Sequence, residues 1–411
     1  MVRASVARTA RANNAEMRAV ESLATLSRMT EMSRRELLEL IAGVGAIAAT
    51  GCTPSSGPLE VRPRQDDPAP TTGADAIEEI GRLAPQWQTR DPFLFCVHHD
   101  DHYPAGNGRF GPAASLDGRR MGMDFEGIDG WRMYHGEAVP GFPSHPHRGF
   151  ETVTVVRRGL LDHSDSMGAA ARYGSGDVQW LTAGRGIQHS EMFPLLRSDR
   201  PNPVELFQIW LNLPQVDKMA QPHFSMLWGN QIPRRTVRDG DGAATELTIV
   251  AGHFEDAATA LAPPPSSYAS RADADVAIWT LAMAPRARFS IPAARRGTNR
   301  RLYYFQGTGM RAGGRAVSPD HYVDLRGDRA VTIENGDSAS EMLLLQGRPI
   351  AEPIARYGPF VMNTEDEIRQ AYADYRRTRF GGWPWPSPEP VHGAEGERFA
   401  RHADGRVERP T

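Results

Sequence analysis

Along the chain, short runs rich in β-branched and aromatic residues alternate with clusters of glycine and proline. Residues 150–156 (FETVTVV) read as a strand, because β-branched side chains fit a pleated, half-buried surface. Arg158-Gly159 and Gly174-Ser175-Gly176-Asp177 mark turns on either side of the next hairpin. Residues 178–181 predict a short strand before Ala183-Gly184-Arg185-Gly186. Asp91-Pro92-Phe93 opens an earlier strand, and residues 131–136 predict another. Residues 204–214 set Leu, Ile and Leu against Phe and Trp, so that strand is expected to be buried on both faces. Residues 276–281, 301–307 and 342–347 read as three further strands. The clearest helical pattern is Ile368, Ala371, Tyr372 and Tyr375 at i, i+3, i+4 and i+7. A capping box at Thr364 and Glu367 starts it, and Gly381-Gly382 stops it, with Pro384 beyond. The tail after Trp383 is polar and is expected only to dock. Residues 76–83 are expected to add a helical turn or two.

A length of 411 residues allows one to three domains, and 40% hydrophobic content can fill sizeable cores. The 40 glycines and 32 prolines fit a β-rich chain with many turns. A net charge of −3 excludes nucleic-acid binding driven by a basic surface. The opening differs in character. Ser33-Arg34-Arg35 followed by an apolar run over residues 40–49 has the layout of a signal peptide, and the run is too short to span a membrane. The paired arginines resemble a twin-arginine export signal, and Ala49-Thr50-Gly51-Cys52 resembles a lipobox. Residues 1–51 are therefore expected to be a signal. Cys52 would become a lipidated N-terminus on the cell envelope, and that lipid would be the chain's membrane contact. The alternative is a cytoplasmic chain with an unstructured head. Residues 52–85 have linker composition. Cys52 and Cys96 are the two cysteines; with Cys52 acylated, Cys96 has no partner and is expected to be a small buried apolar residue.

Candidate chemistry gathers between residues 141 and 194. His145 and His147 form the single His-x-His of the chain, and His189 and Glu191 repeat the spacing. Residues two apart on a strand point to one face. Each pair can therefore offer two ligands in one direction, and three imidazoles with a carboxylate suit a divalent transition metal. The spacing His145, His147, Glu151 nominates a different carboxylate, and geometry does not exclude it. A His-x-His strand, a hairpin and a Gly-rich turn leading to a third histidine is the pattern of a cupin barrel.

The blocks HPHRGFETVT, GDVQWLTAGRGIQHSEM and YGPFVMNTEDEIRQAYADY resemble the signature blocks of the pirin family, in the family order, over roughly residues 90 to 385. The resemblance implies an all-β bicupin with a C-terminal α-helix. Its N-terminal cupin would span residues 86–252, a metal-free C-terminal cupin residues 253–350, and the helix and tail residues 351–411. It places one Fe(II) on His145, His147, His189 and Glu191, with Ni, Cu, Zn or Mn as substitutes. Glu151 would then hold a ligand histidine by hydrogen bond, or act as base if Glu191 does not. The implied function is a quercetin 2,3-dioxygenase-like oxidoreductase taking O₂ and a small aromatic such as a flavonol, in a monomer. The rival is an iron-binding or redox-sensing protein, or a small-molecule binder, without turnover. Residues 276–350 hold one histidine, His321, and Gly297-Thr298-Asn299 stands where many pirins have Gly-His-Asn. His98-His99-Asp100-Asp101-His102 is expected to be a polar loop rather than a second metal site. Shorter pirins differ there, so the loop is expected to reshape the cavity mouth. Phe193, Phe207 and Trp210 are candidates for a ligand-pocket wall, against an ordinary role in the core.

Overall fold

The computed structural model describes residues 74–255 and 258–410. The expected export signal, Cys52 and the linker as far as residue 73 lie outside the described residues. Twelve strands come first in the chain: β1 (Ile77–Arg82), β2 (Phe93–Tyr103), β3 (Gly141–His147), β4 (Phe150–Arg158), β5 (Leu160–Asp165), β6 (Ala170–Gly174), β7 (Val178–Thr182), β8 (Ile187–Met192), β9 (Asn202–Asn212), β10 (His223–Leu227), β11 (Arg234–Arg238) and β12 (Ala244–Ala251). Sheets β10-β7-β4-β9-β2 and β6-β5-β8-β3 face each other as the first barrel.

The second barrel draws in strands from unexpected places. Its seven-stranded sheet runs from β1 through His321–Leu325, Asn299–Gln306, Ser340–Gly347 and Ala277–Met283 to β12 and β11. Thus β11 and β12 precede residue 253 yet hydrogen-bond into the second barrel. Residues 76–83, expected to be helical, contain β1, whose backbone pairs with His321–Leu325. An open sheet edge outweighed local propensity there.

Three apolar layers hold the molecule together. One fills the second barrel with Leu247, Trp279, Leu281, Phe289, Leu302 and Leu344. Another fills the first barrel with Tyr103, Trp131, Leu181, Phe193 and Leu206. The third is the seam between them, where Val153, Trp180, Phe207 and Ile209 meet Ile278, Tyr303 and Leu343. Strands β4 and β9 are therefore buried on both faces, which explains their near-continuous apolar runs. Cys96 is fully buried in the seam, where burial pushes its thiol well above the usual range.

Three further expectations change. Residues 98–102 are not a loop: β2 stays paired with β9 as far as Tyr103 opposite Asn202. Strand periodicity turns His99 and Asp101 inward, and both bond Tyr134. Residues 131–136 form no strand, because Tyr134 sits in the left-handed region at φ 57° and makes only isolated bridges. The tail does more than dock: Phe399–Arg401 pairs with β6 and extends the first barrel's sheet.

Among the described residues the α-helix is α1 (Glu365–Thr378), with both hydrogen bonds of the expected capping box in place. Its stripe packs on Phe360 and Met362. Tyr375 donates to Gln188 Oε1 at 2.9 Å, and Arg148 bonds Asp374 at 2.9 Å. The helix so braces β8 and the turn after β3.

Candidate metal centre

Strands β3 and β8 run antiparallel with His145 opposite His189. One ligand nitrogen from each of His145, His147 and His189 lies within 4.8 Å of the others, and all three residues are buried. His145 Nδ1 is 2.8 Å from the Pro143 carbonyl. A carbonyl only accepts, so Nδ1 carries the proton and Nε2 keeps its lone pair. The Pro359 carbonyl engages His147, whose Nδ1 has no partner among the described residues. Neither nitrogen of His189 has one among them either. Buried polar atoms are almost always bonded, so a cluster of orphaned imidazole nitrogens calls for a bound group. Burial pushes His145 down to about 4 and holds His147 and His189 well below the usual range. The rings are thus neutral, which is the form that ligates metal. The donor set fits a divalent transition ion.

Glu191 lies two residues beyond His189, opposite Phe142 on β3 and His163 on β5. Its oxygens accept from Thr154 Oγ1 at 3.0 Å and Gln208 Nε2 at 2.9 Å. It stands beside the three histidines rather than within their 4.8 Å group.

Glu151 is elsewhere. β3 ends at His147 and β4 begins at Phe150, with Gly149 turning between them at φ 87°. That turn resets the alternation, so the period of two does not carry from His147 to Glu151. Glu151 faces the seam and accepts from Trp180 Nε1, Thr182 Oγ1, Ser267 Oγ and Tyr268 N at 2.7–3.2 Å. It fastens the segment leading into the second barrel and bonds no ligand histidine. Burial pushes it up to about 7, against the pull of those donors.

Of the three aromatic candidates, Trp210 stands 5.3 Å from the His147 ring and 4.3 Å from Phe150. Phe193 packs on Phe142 and Tyr134. Phe207 faces the seam instead, with Trp87 and His98; it is three residues from Trp210 and so on the other face. His163 escaped sequence reasoning. It is opposite Glu191, its ring is 5.6 Å from His189, and its Nε2 is 3.2 Å from Asp165 Oδ2. The spacing of His163-Ser164-Asp165, two residues again, was the available signal. Arg356 covers Trp210 at 4.9 Å and bonds the Leu94 carbonyl. Two cavities of about 490 and 500 Å³ open along the seam and share Phe305; neither is lined by the three histidines.

The sequence profile described as Pirin matches residues 73–211, and that of the pirin C-terminal cupin domain matches residues 278–381. The chain belongs to the pirin family. It is an all-β bicupin with one C-terminal helix. This pirin is 35% identical, over 58% of its length and 79% of the relative's, to a Pseudomonas aeruginosa protein assigned by name to the quercetin 2,3-dioxygenases. It is 32% identical to human pirin over 60% of this chain and 80% of that one. A crystal structure titled quercetin 2,3-dioxygenase from Acinetobacter baumannii shares the fold, with a TM-score of 0.57 and 24% identity over 75% of this pirin and 96% of that chain.

Proposed function

We propose that this pirin is a metal-dependent dioxygenase acting on a flavonol or related hydroxylated aromatic, with Fe(II) held by His145, His147, His189 and Glu191. The observation that carries the reading is the convergence of three buried, neutral imidazoles, with ring nitrogens of His147 and His189 left without a partner among the described residues, beside a buried carboxylate. The names of the Pseudomonas relatives support the reaction class. The metal, when bound, supplies a Lewis-acidic, redox-active centre for a phenolic oxygen and O₂. Nickel, copper, zinc or manganese can occupy the same donors during purification.

The chain's own residues do the rest. Gln188 holds α1 through Tyr375 Oη at 2.9 Å, which fixes the strand carrying His189. Pro143 and Pro359 orient the rings of His145 and His147 through their carbonyls. Thr154 and Gln208 aim the Glu191 carboxylate, which would receive the proton of the substrate hydroxyl when it swings off the metal. Trp210 and Phe150 close the apolar wall behind His147 and keep water from that side.

The test is oxygen uptake with loss of flavonol absorbance by iron-loaded protein, wild type against Glu191→Gln. A positioned base contributes about 10²–10⁴-fold, so the variant is expected to lose that much turnover per metal bound. No oxygen uptake with any flavonol or catechol would defeat the enzyme reading and leave a metal-binding protein without turnover.

A further inference from the structure

Between β2 and β3 the chain runs through residues 104–140 with no strand of its own, only the short 3₁₀ turn Ile128–Gly130 and isolated bridges. Long irregular segments inside a compact domain are usually functional. This one is firmly built. Arg119 is buried 3.3 Å over the Trp131 ring, bonds Asp124 at 2.8 Å and donates to the carbonyls of Ile128 and Trp131. Tyr134 donates to Asp101 Oδ2 at 2.6 Å and accepts from His99 Nδ1 at 2.6 Å. These bonds fix the backbone that carries His135.

His135 is held in one orientation. Its backbone N–H donates to the Gly141 carbonyl, and its Nδ1 lies 2.6 Å from the Gly122 carbonyl. A carbonyl cannot donate, so Nδ1 carries the hydrogen and Nε2 presents a bare lone pair. That Nε2 is buried and has no partner among the described residues. The ring stands 5.0 Å from Phe125 and 5.7 Å from Phe142, and Phe142 stands 6.5 Å from the ligand His145. Phe142 is also opposite Glu191 in the strand register. An unused acceptor thus sits one aromatic ring away from the metal donors. Beside it, Met121, Met123 and Phe125 remain 38–39% exposed, three large apolar side chains within five residues.

We propose that residues 104–140 form the substrate-recognition lip of the metal centre. His135 Nε2 accepts a hydrogen bond from a ring hydroxyl of a planar aromatic ligand, and Met121, Met123 and Phe125 cover the ligand's apolar face. The ligand class rests on the function proposed above; the placement of the acceptor does not. Thioether and aromatic side chains suit flat π-systems, and a buried acceptor selects for ligands that bring a donor.

The test separates recognition from turnover. Full-length metal-loaded protein is titrated without oxygen, by tryptophan quenching, with quercetin and with 3-hydroxyflavone, which lacks the other ring hydroxyls. Wild type is expected to bind quercetin at least about tenfold more tightly, the worth of one well-used buried acceptor. His135→Phe is expected to erase that preference with metal content unchanged. His135→Gln, whose amide oxygen can take the place of Nε2, is expected to restore part of it. Met121→Ser with Met123→Ser is expected to weaken both ligands alike. Retention of the preference in His135→Phe, or a wild type that binds neither ligand or both equally, would overturn the assignment. Binding that follows the pattern without oxygen uptake supports the lip and sinks only the dioxygenase reading.

Discussion

Glu151 and Glu191 are both buried acids near the histidine strands, yet they face opposite ways. Glu191 shares a face with His189 because both lie on one unbroken strand. Glu151 lies beyond Gly149 and meets donors from β7 and the segment leading into the second barrel. Its role is structural, and pH can show it. The folded value of about 7 lies above the ordinary 4.5, so between these values the folded chain binds more protons than the unfolded one. Stability from this group therefore falls as pH rises from 4.5 to 7, by roughly 3 kcal/mol across the window. Glu151→Gln is expected to flatten that part of the pH–stability curve and leave metal content unchanged. Urea unfolding at pH 4.5, 6 and 7.5 measures it; equal slopes in both proteins, or loss of metal in the variant, would contradict the seam assignment. The three histidines were legible in the sequence because a period of two survives within β3 and within β8. The aim of Glu151 was hidden by a single left-handed glycine between two strands.

At the scale of elements, the tail makes the plainest case. Residues after 383 look polar and unpatterned, but Phe399–Arg401 pairs with β6 on one side and Val407–Glu408 on the other. Arg172 of β6 is fully buried, bonded twice to Asp162 at 2.7 Å and capped by the carbonyls of Gly393 and Glu395. The His392 backbone N–H donates to Asp162 as well. Deleting residues 390–411 strips these partners from a buried charge pair. Hydrogen bonds to charged groups contribute about 1.5–3 kcal/mol each, so the truncation is expected to cost at least about 3 kcal/mol. Chemical denaturation measures the loss, and an unchanged midpoint would show the tail to be an accessory. No periodicity could have revealed this, because a three-residue strand is specified by the strands it pairs with rather than by itself. α1 is the opposite case: its cap and stripe are local and were readable, while its end falls at Thr378 with Arg379 in the left-handed region, ahead of the expected Gly381-Gly382.

At the scale of the molecule, the two barrels share a seam core, so they do not part at residue 253. β1 comes from far upstream and β11–β12 from before that residue, yet all three belong to the second sheet. The start of the chain poses a separate question, since residues 1–73 lie outside the described ones. We propose that the Arg34-Arg35 segment directs export and that Cys52 becomes the mature, lipidated N-terminus. Mass spectrometry of protein from the native cell envelope is expected to find a diacylated or triacylated Cys52. An unprocessed chain recovered from the cytosol would refute it.

What the sequence determined by itself is whatever depends on short-range periodicity. That covers the strands around the two histidine pairs, the amphipathic helix α1 with its cap, and the signature blocks that carry the pirin resemblance. The tertiary structure alone decided which sheet each strand joins, which face Glu151 and Phe207 turn to, and that His99, Asp101 and Tyr134 form one buried network behind the lip. Those outcomes rest on pairing between residues tens to hundreds of positions apart. A strand's hydrogen-bonding edges are the same for every sequence, so only the assembled sheets fix which edges meet.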